Sequence, residues 1–128
     1  MLKFKMMLLL AVSLAACSFA YAADSAASSI SAAELKKEIK SGHSVVILDV
    51  RMPEELNGAL GKIDGSINIP LQQLQSRLNE LNKYKDKKIY VISRSGIPSK
   101  LAAEMLEKHG FTAVVVTGGM MAYRQSGE

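Results

Sequence analysis

The chain has 128 residues, of which 48% are hydrophobic and 22% charged, and its formal net charge is +4. That length allows one domain, and the composition is that of a globular protein rather than a disordered or collagen-like one. The charge is too small to predict a nucleic-acid-binding protein. One cysteine, Cys17, excludes an intramolecular disulfide and zinc sites built from cysteine pairs in this sequence.

The beginning of the chain is typical of an export signal. Lys3 and Lys5 precede an uncharged run from Met6 to Ala16. The run is shorter than the ~20 residues that a membrane-spanning helix needs, and a basic start before such a run is the pattern of a secretory leader. We therefore expect an exported protein of bacterial origin.

Two processing sites fit the end of this leader. The small residues at 20–23 suit a signal peptidase, whereas the four residues ending in Cys17 resemble a bacterial lipobox. We predict a signal peptide over 1–22, or over 1–16 if Cys17 is lipidated, and then a short flexible linker over 23–29. The expected location is the periplasm, or the cell envelope for a lipoprotein, with a lipid anchor as the one membrane contact.

Residues 30–124 alternate between strand and helix patterns. The predicted strands are 45–48, 67–69, 89–92 and 113–116, and Ile30 is a candidate for a short edge strand. The predicted helices are one capped by Ser31 and ending at Gly42, one over 71–82, one capped by Ser99 and ending at Gly110, and a short last one after Gly119. This alternation predicts a single α/β domain of three layers, with a mostly parallel sheet of about five strands and helices on both faces.

Two strand exits carry polar residues, and ligands of such sheets bind beyond the carboxyl ends of the strands. Asp49 and Arg51 follow the 45–48 strand. The 93–99 loop, which follows the 89–92 strand, consists of Ser93, Arg94, Ser95, Gly96, Ile97, Pro98 and Ser99. A tight loop with a glycine before a helix can aim its amide groups at one point, which predicts an anion-binding cradle. The alternative is an ordinary strand-to-helix turn with a serine cap.

Several segments resemble motifs of the rhodanese family in order and spacing. They are Asp49-Val50-Arg51, the segment 61–70, the 93–99 loop, Gly110-Phe111-Thr112 and the segment 118–123. The resemblance covers about residues 30–124 and is greatest to small periplasmic rhodaneses of the phage-shock type. It implies the rhodanese fold and the transfer of a sulfane sulfur from a donor such as thiosulfate to a thiophilic acceptor, by way of a persulfide on a loop cysteine.

Ser93 stands at the position of that catalytic cysteine. A thiol at a helix N-terminus is readily ionised, whereas a serine hydroxyl needs an adjacent base to become a nucleophile. The two histidines, His43 and His109, are expected too far from Ser93 to act as that base. The sequence thus predicts a catalytically inactive homologue that binds a small anion, such as a sulfur oxyanion, or a partner protein at the loop.

Two alternatives stay open. The protein is a working thiosulfate sulfurtransferase if Ser93 is an engineered or misread replacement for cysteine, and it is a lipid-tethered envelope adaptor if it has no small ligand. Pro98 removes a positive charge and an amide donor from the loop, where many family members have arginine. No metal, cofactor or nucleic acid is expected.

Three charged features are predicted to be structural. Glu54 and Glu55 are expected to form an ion pair with Arg51, and Asp49 to tie down neighbouring loops. The lysines within 83–88 are expected to form a solvated turn, with contact to anionic lipid headgroups as the alternative.

Overall fold

A computed structural model describes residues 27–127 of the chain. Cys17 and the predicted leader over 1–22 lie outside the described residues. The strands are β1 (Ser28–Ser31), β2 (Val46–Asp49), β3 (Ile67–Asn68), β4 (Lys88–Ile92) and β5 (Thr112–Thr117). The α-helices are α1 (Ala32–Lys40), α2 (Leu71–Arg77), α3 (Ile97–Lys108) and α4 (Gly119–Gln125), and 3₁₀ helices occupy Pro53–Asn57 and Leu78–Tyr84.

The five strands form one parallel sheet in the order β1-β5-β4-β2-β3. The predicted α/β fold with a five-stranded parallel sheet is therefore confirmed. The edge strand suggested by Ile30 is β1, which pairs with β5 from Ser28 onward. The last two residues of the predicted 23–29 linker consequently belong to the sheet, because their backbone follows the free side of β5.

Helices cover both faces of the sheet. Leu48, Val91 and Val115 pack on the face covered by α2 and α3. Their neighbours Ile47, Ile92 and Val116 pack on the opposite face, against α1 and α4. Successive side chains of a strand point to opposite faces, so a strand that is covered on both sides needs an apolar residue at every position. This requirement explains the continuous apolar runs of the three central strands.

One helix boundary follows its sequence signal and another does not. The capping box before α1 is present: Ser31 Oγ accepts a hydrogen bond from the Glu34 amide at 3.1 Å, and the Ser31 amide donates to the Glu34 carboxylate at 3.2 Å. The helix predicted over 71–82 instead ends as an α-helix at Arg77 and continues as a 3₁₀ helix to Tyr84.

Within residues 27–127, no helix has the length and apolar character needed to cross a bilayer.

Candidate functional site

The C-terminal ends of β2 and β4 lie side by side, with Asp49 in register with Ile92. Both polar exits noted in the sequence therefore open at the same edge of the sheet. The first is built on a buried ion pair: Arg51 Nη2 lies 2.7 Å from Asp49 Oδ2, and Arg51 Nε donates to both carboxylate oxygens. Arg51 Nη2 also donates to the Gly61 carbonyl at 2.7 Å, so the pair ties the distant 61–66 segment to the end of β2.

The predicted ion pair between Arg51 and Glu54 or Glu55 is wrong. Asp49 lies two residues before Arg51, and its carboxylate forms the ion pair with the guanidinium. Both side chains are almost fully buried. Glu55 instead accepts a hydrogen bond from the Met52 amide at 3.0 Å and so stabilises the start of the first 3₁₀ helix. The expectation that Asp49 ties down neighbouring chain segments agrees with these contacts.

The hydroxyl of Ser93 lies at the bottom of the 93–99 loop and is held from two sides. Ser93 Oγ accepts a hydrogen bond from the Gly96 amide at 3.0 Å and donates to Ser99 Oγ at 3.3 Å. Ser99 Oγ in turn donates to the Gly96 carbonyl at 2.6 Å. Ser93 is only 1% exposed. Its proton and one of its lone pairs are therefore both engaged inside the loop.

The prediction that Ser99 caps the helix is wrong. The helix begins two residues earlier, at Ile97, and the cap residue is Gly96 in a left-handed conformation with φ of 112°. Pro98 fits the first turn of the helix because the amide it lacks has no partner there in any helix. Ser99 thus lies inside the first turn, where its hydroxyl braces the loop rather than capping the helix.

Four amide groups of the loop remain available to a ligand. Among the residues that the structure describes, the N–H groups of Arg94, Ser95, Ile97 and Ser99 donate to no protein acceptor. They lie at the N-terminus of the 12-residue helix α3, where the helix dipole adds partial positive charge. This arrangement can accept a small anion, although Pro98 contributes no donor.

A glycine pair after β5 forms the second wall of the site. The amide of Met120 donates to the Ser93 carbonyl at 2.8 Å, and that of Met121 donates to the Arg94 carbonyl at 3.1 Å. Gly119 is so close that a Cβ built on it would lie 2.3 Å from the Ser93 carbonyl oxygen. This role of Gly119 was not predicted from the sequence, in which the adjacent glycines at 118 and 119 are its one signal.

A shallow cleft leads from the surface to Ser93. Its volume is about 190 Å³, and its wall includes Arg51, Ser93, Arg94 and Pro98. A second cleft of about 240 Å³ shares Arg51, Glu55 and Arg94 with the first. Arg94 is exposed where the two clefts meet, so it presents a positive charge to any molecule that approaches Ser93.

Four large apolar side chains are exposed on the loop or on segments next to it, and we call them the apolar rim. They are Met52 (42% exposed), Ile97 (72%), Leu101 (53%) and Met121 (42%). Met52 lines the first cleft, Ile97 and Leu101 lie one helical turn apart at the start of α3, and Met121 is bonded to the loop at Arg94. Exposed apolar side chains beside a cleft are typical of an interaction surface.

No ionisable side chain forms a hydrogen bond with Ser93 within residues 27–127. His43 instead pairs with Glu38 and Ser41 beyond the end of α1, and His109 bonds to the Met105 carbonyl at the end of α3. Both histidines lie at the edge of the sheet opposite the loop. Among the described residues, therefore, no base is hydrogen-bonded to the Ser93 hydroxyl to activate it.

Comparison with known proteins identifies the fold and its relatives. The family model "Rhodanese-like domain" matches residues 31–126. YrkF of Bacillus subtilis is 41% identical over 92 residues, which are 71% of this chain and 48% of YrkF, so the chain spans about half of that relative. The thiosulfate sulfurtransferase PspE of Escherichia coli is 33% identical over 73 residues, which are 57% of this chain and 68% of PspE.

A solved structure agrees with these sequence matches. The crystal structure of a rhodanese-like domain protein from Staphylococcus aureus superposes with a TM-score of 0.68 at 36% identity. The match covers 75% of this chain and 90% of that protein. It extends the agreement from the motifs around the loop to the arrangement of the whole described domain.

Proposed function

Since the chain belongs to the rhodanese-like family, we propose that it is a sulfurtransferase homologue without sulfur-transfer activity, which binds a small anion at the 93–99 loop. The observation that carries this proposal is the state of Ser93. Its hydroxyl is buried and hydrogen-bonded to Gly96 and Ser99, and within residues 27–127 it is hydrogen-bonded to no base.

Sulfur transfer needs a nucleophile that can attack a sulfur atom and then hold the sulfur. A thiolate does both, because it forms at moderate pH at a helix N-terminus and its product is a persulfide. The Ser93 hydroxyl stays protonated, and activating it would require a base within hydrogen-bond reach. Under this proposal the protein retains the loop of its family but has lost the nucleophile that sulfur transfer requires.

Anion binding remains because it depends on the backbone rather than on the side chain of Ser93. Four amides of the loop and the first turn of α3 donate to no acceptor among the described residues, and Arg94 adds a full positive charge at the entrance. A sulfur oxyanion such as thiosulfate or sulfite offers several acceptor oxygens to such a set of donors. Pro98 withholds one amide, so the expected binding is weak.

The apolar rim favours a second candidate, a partner protein that presents a carboxylate to the loop. Arg94 is exposed at the entrance and would pair with that carboxylate, while Met52, Ile97, Leu101 and Met121 would bury apolar surface. A small free anion would contact few of these side chains. Replacing rim side chains with alanine therefore distinguishes the two candidates. It should weaken the binding of a partner protein and leave the binding of a small anion unchanged.

We further propose that the protein acts outside the cytoplasm, in the periplasm or, if Cys17 is acylated, as a lipoprotein of the envelope. This proposal rests on the basic start and the uncharged run from Met6 to Ala16. Mass spectrometry of the protein from its native cell is expected to find a chain that begins near residue 23 or is acylated at Cys17. A cytoplasmic chain that retains Met1 would contradict it.

The proposed function is tested by measuring binding and turnover on the same protein. Calorimetry is expected to detect weak binding of thiosulfate and sulfite, and cyanide-dependent release of thiocyanate should stay at background. Arg94→Gln should weaken binding several-fold, whereas Arg77→Gln removes the same charge away from the loop and should leave binding unchanged. Turnover above background, or binding that is indifferent to Arg94→Gln, would overturn the proposal.

A further inference from the structure

The side of the sheet at which the parallel strands begin lies opposite the 93–99 loop. It carries exposed lysines, and we call it the lysine edge. Its members come from three separate parts of the chain. They are Lys37 and Lys40 in the last turn of α1, Lys83, Lys85, Lys87 and Lys88 before and at the start of β4, and Lys108 in the last turn of α3. All seven are exposed.

The parallel sheet brings these segments together. Val46 at the start of β2 is in register with Ile89 of β4, which is in register with Ala113 of β5. The helices that lead into these strands therefore all end at one edge. A direct contact across this edge supports the placement: Lys85 Nζ lies 5.1 Å from the ring of Phe111, the residue before β5.

The lysine edge carries the whole net charge of the described domain. Residues 27–127 contain 14 basic and 10 acidic side chains, a surplus of four. The chain segments that carry the seven edge lysines also contain three acidic residues, Glu38, Asp86 and Glu107, which again gives a surplus of four. Two of those carboxylates are engaged, Glu38 with His43 and Glu107 with the Ala113 amide. The remainder of the domain is balanced, with seven basic and seven acidic residues.

The edge lysines are not used to stabilise the fold through ion pairs. Within residues 27–127, the salt bridges join His43 to Glu38, Arg51 to Asp49 and Arg77 to Glu80, and none of them includes an edge lysine. The ammonium groups therefore remain available to an external polyanion. Because they come from three elements around one edge, they suit an extended negatively charged surface better than a single small anion.

The chain also enters the domain at this edge. Ser28 at the start of β1 pairs with Val114 near the start of β5, so Ala27 lies on the lysine side of the sheet. The sequence before it contains the uncharged run from Met6 to Ala16 and then Cys17. Nine residues separate Cys17 from Ala27, and the ten Cα–Cα steps between them span at most about 35 Å when extended. A chain held to a bilayer through this segment would keep the lysine edge near the lipid headgroups.

We propose that the lysine edge binds the anionic headgroups of a phospholipid bilayer, with the 93–99 loop directed away from the membrane. Each lysine close to an anionic membrane surface strengthens binding by about fivefold, and the attraction extends over roughly one Debye length of 8–10 Å. The 93–99 loop, at the other end of the strands, then stays open to ligands. This inference does not depend on what the loop binds.

The test compares vesicles of phosphatidylcholine alone with vesicles that also contain phosphatidylglycerol. The protein is the full chain with Cys17→Ser, so that no attached lipid contributes. The measured quantity is the ratio of the two partition coefficients, in which the apolar contribution of residues 1–26 cancels. Lys3 and Lys5 raise this ratio equally in every variant, so the comparison between variants isolates the contribution of the edge lysines. The ratio is expected to exceed one strongly and to fall toward one at high salt.

Two double variants locate the effect. Lys87→Gln/Lys88→Gln should reduce the ratio by about 25-fold, at about fivefold for each lysine. The matched control, Lys62→Gln/Lys100→Gln, should change it less than about twofold, since Lys100 lies roughly 12 Å along α3 from Lys108. Lys37→Gln/Lys40→Gln provides a second edge variant, on a different helix, with the same expected loss.

Three results would overturn the inference. The first is a ratio near one for the protein without lysine substitutions. The second is an equal loss in edge and control variants, which would indicate a response to net charge alone. The third is tight binding of an acidic polypeptide at the edge together with no preference for anionic vesicles, which would assign the surface to a protein partner. Unchanged circular dichroism of each variant excludes misfolding as the cause.

Discussion

The two edges of this sheet differ in how closely their residues are packed. At the edge that carries the 93–99 loop, Asp49 and Arg51 form a buried pair and Gly119 touches the backbone of Ser93. At the lysine edge the charged side chains are exposed, and a Cβ added to Gly42 or Gly110 would meet nothing within 4 Å. A site for a small ligand needs fixed donors, whereas attraction to a charged surface needs only the presence of charge. Equivalent substitutions should therefore lower the free energy of unfolding more at the loop edge than at the lysine edge.

The largest effect is expected from breaking the buried ion pair. Arg51→Met should lower the free energy of unfolding by about 3–5 kcal/mol, because it leaves the Asp49 carboxylate buried without its partner. Arg77→Met, which breaks the exposed pair with Glu80, is the control and should cause no measurable change. Urea unfolding of the three proteins checks this. Equal stability of the two variants would contradict the difference between buried and exposed pairs.

Gly119→Ala tests the close approach at the second wall of the loop. The added Cβ would overlap the carbonyl oxygens of Ser93 and Arg94 at 2.3 and 2.6 Å, and the residue has a φ of 58°. The expected destabilisation is about 3 kcal/mol, from overpacking together with the left-handed backbone.

Gly110→Ala is the matched control, because its φ of 84° is also left-handed but its surroundings are open. It should cost only about 1 kcal/mol, the price of the backbone conformation alone. Thermal or urea unfolding measures both variants. If the two substitutions lowered the free energy of unfolding equally, the loop edge would be less rigid than its contacts indicate.

Ser93→Cys tests whether the loop still holds the electrostatic conditions for sulfur transfer. The introduced thiol would lie at the N-terminus of α3, where thiols ionise readily. We expect a persulfide after incubation with thiosulfate and a modest release of thiocyanate with cyanide. Ser99→Cys, at the neighbouring buried hydroxyl, is the control and should form no persulfide that turns over.

Adding Pro98→Arg to Ser93→Cys should raise turnover by roughly tenfold or more, because it restores an amide donor and a positive charge. A folded Ser93→Cys protein without activity would show that the loop had diverged beyond the loss of its nucleophile.

The smallest effect concerns Tyr90, which lies in the middle of β4 between the two edges. Burial, and secondarily the charge of Glu38, raises the pKa of its phenol above the ordinary value. A raised folded-state pKa favours the neutral phenol, so this stability is present below the ordinary pKa and is lost as pH rises through the folded pKa. The urea midpoint of wild type should therefore fall relative to Tyr90→Phe in alkaline solution, and parallel midpoints would contradict the assignment.

Patterns within short stretches of sequence were sufficient to predict most of the fold. The capping box at Ser31 and Glu34 and the apolar runs of β2, β4 and β5 depend on neighbours a few residues apart, and the structure contains all of them. The motifs at both strand exits likewise indicated the rhodanese-like fold. These features are predictable because helix capping and two-sided burial act locally along the chain.

Contacts between distant segments were decided only by the tertiary structure. The sequence offered Arg51 several carboxylates, and the extended end of β2 selected Asp49. The bracing role of Ser99 and the approach of Gly119 to the loop depend on how α3 and α4 begin. The lysine edge, too, combines residues as far apart as Lys37 and Lys108. A parallel sheet places every strand start at one edge and every strand end at the other, so crossover connections bring together residues that the sequence separates.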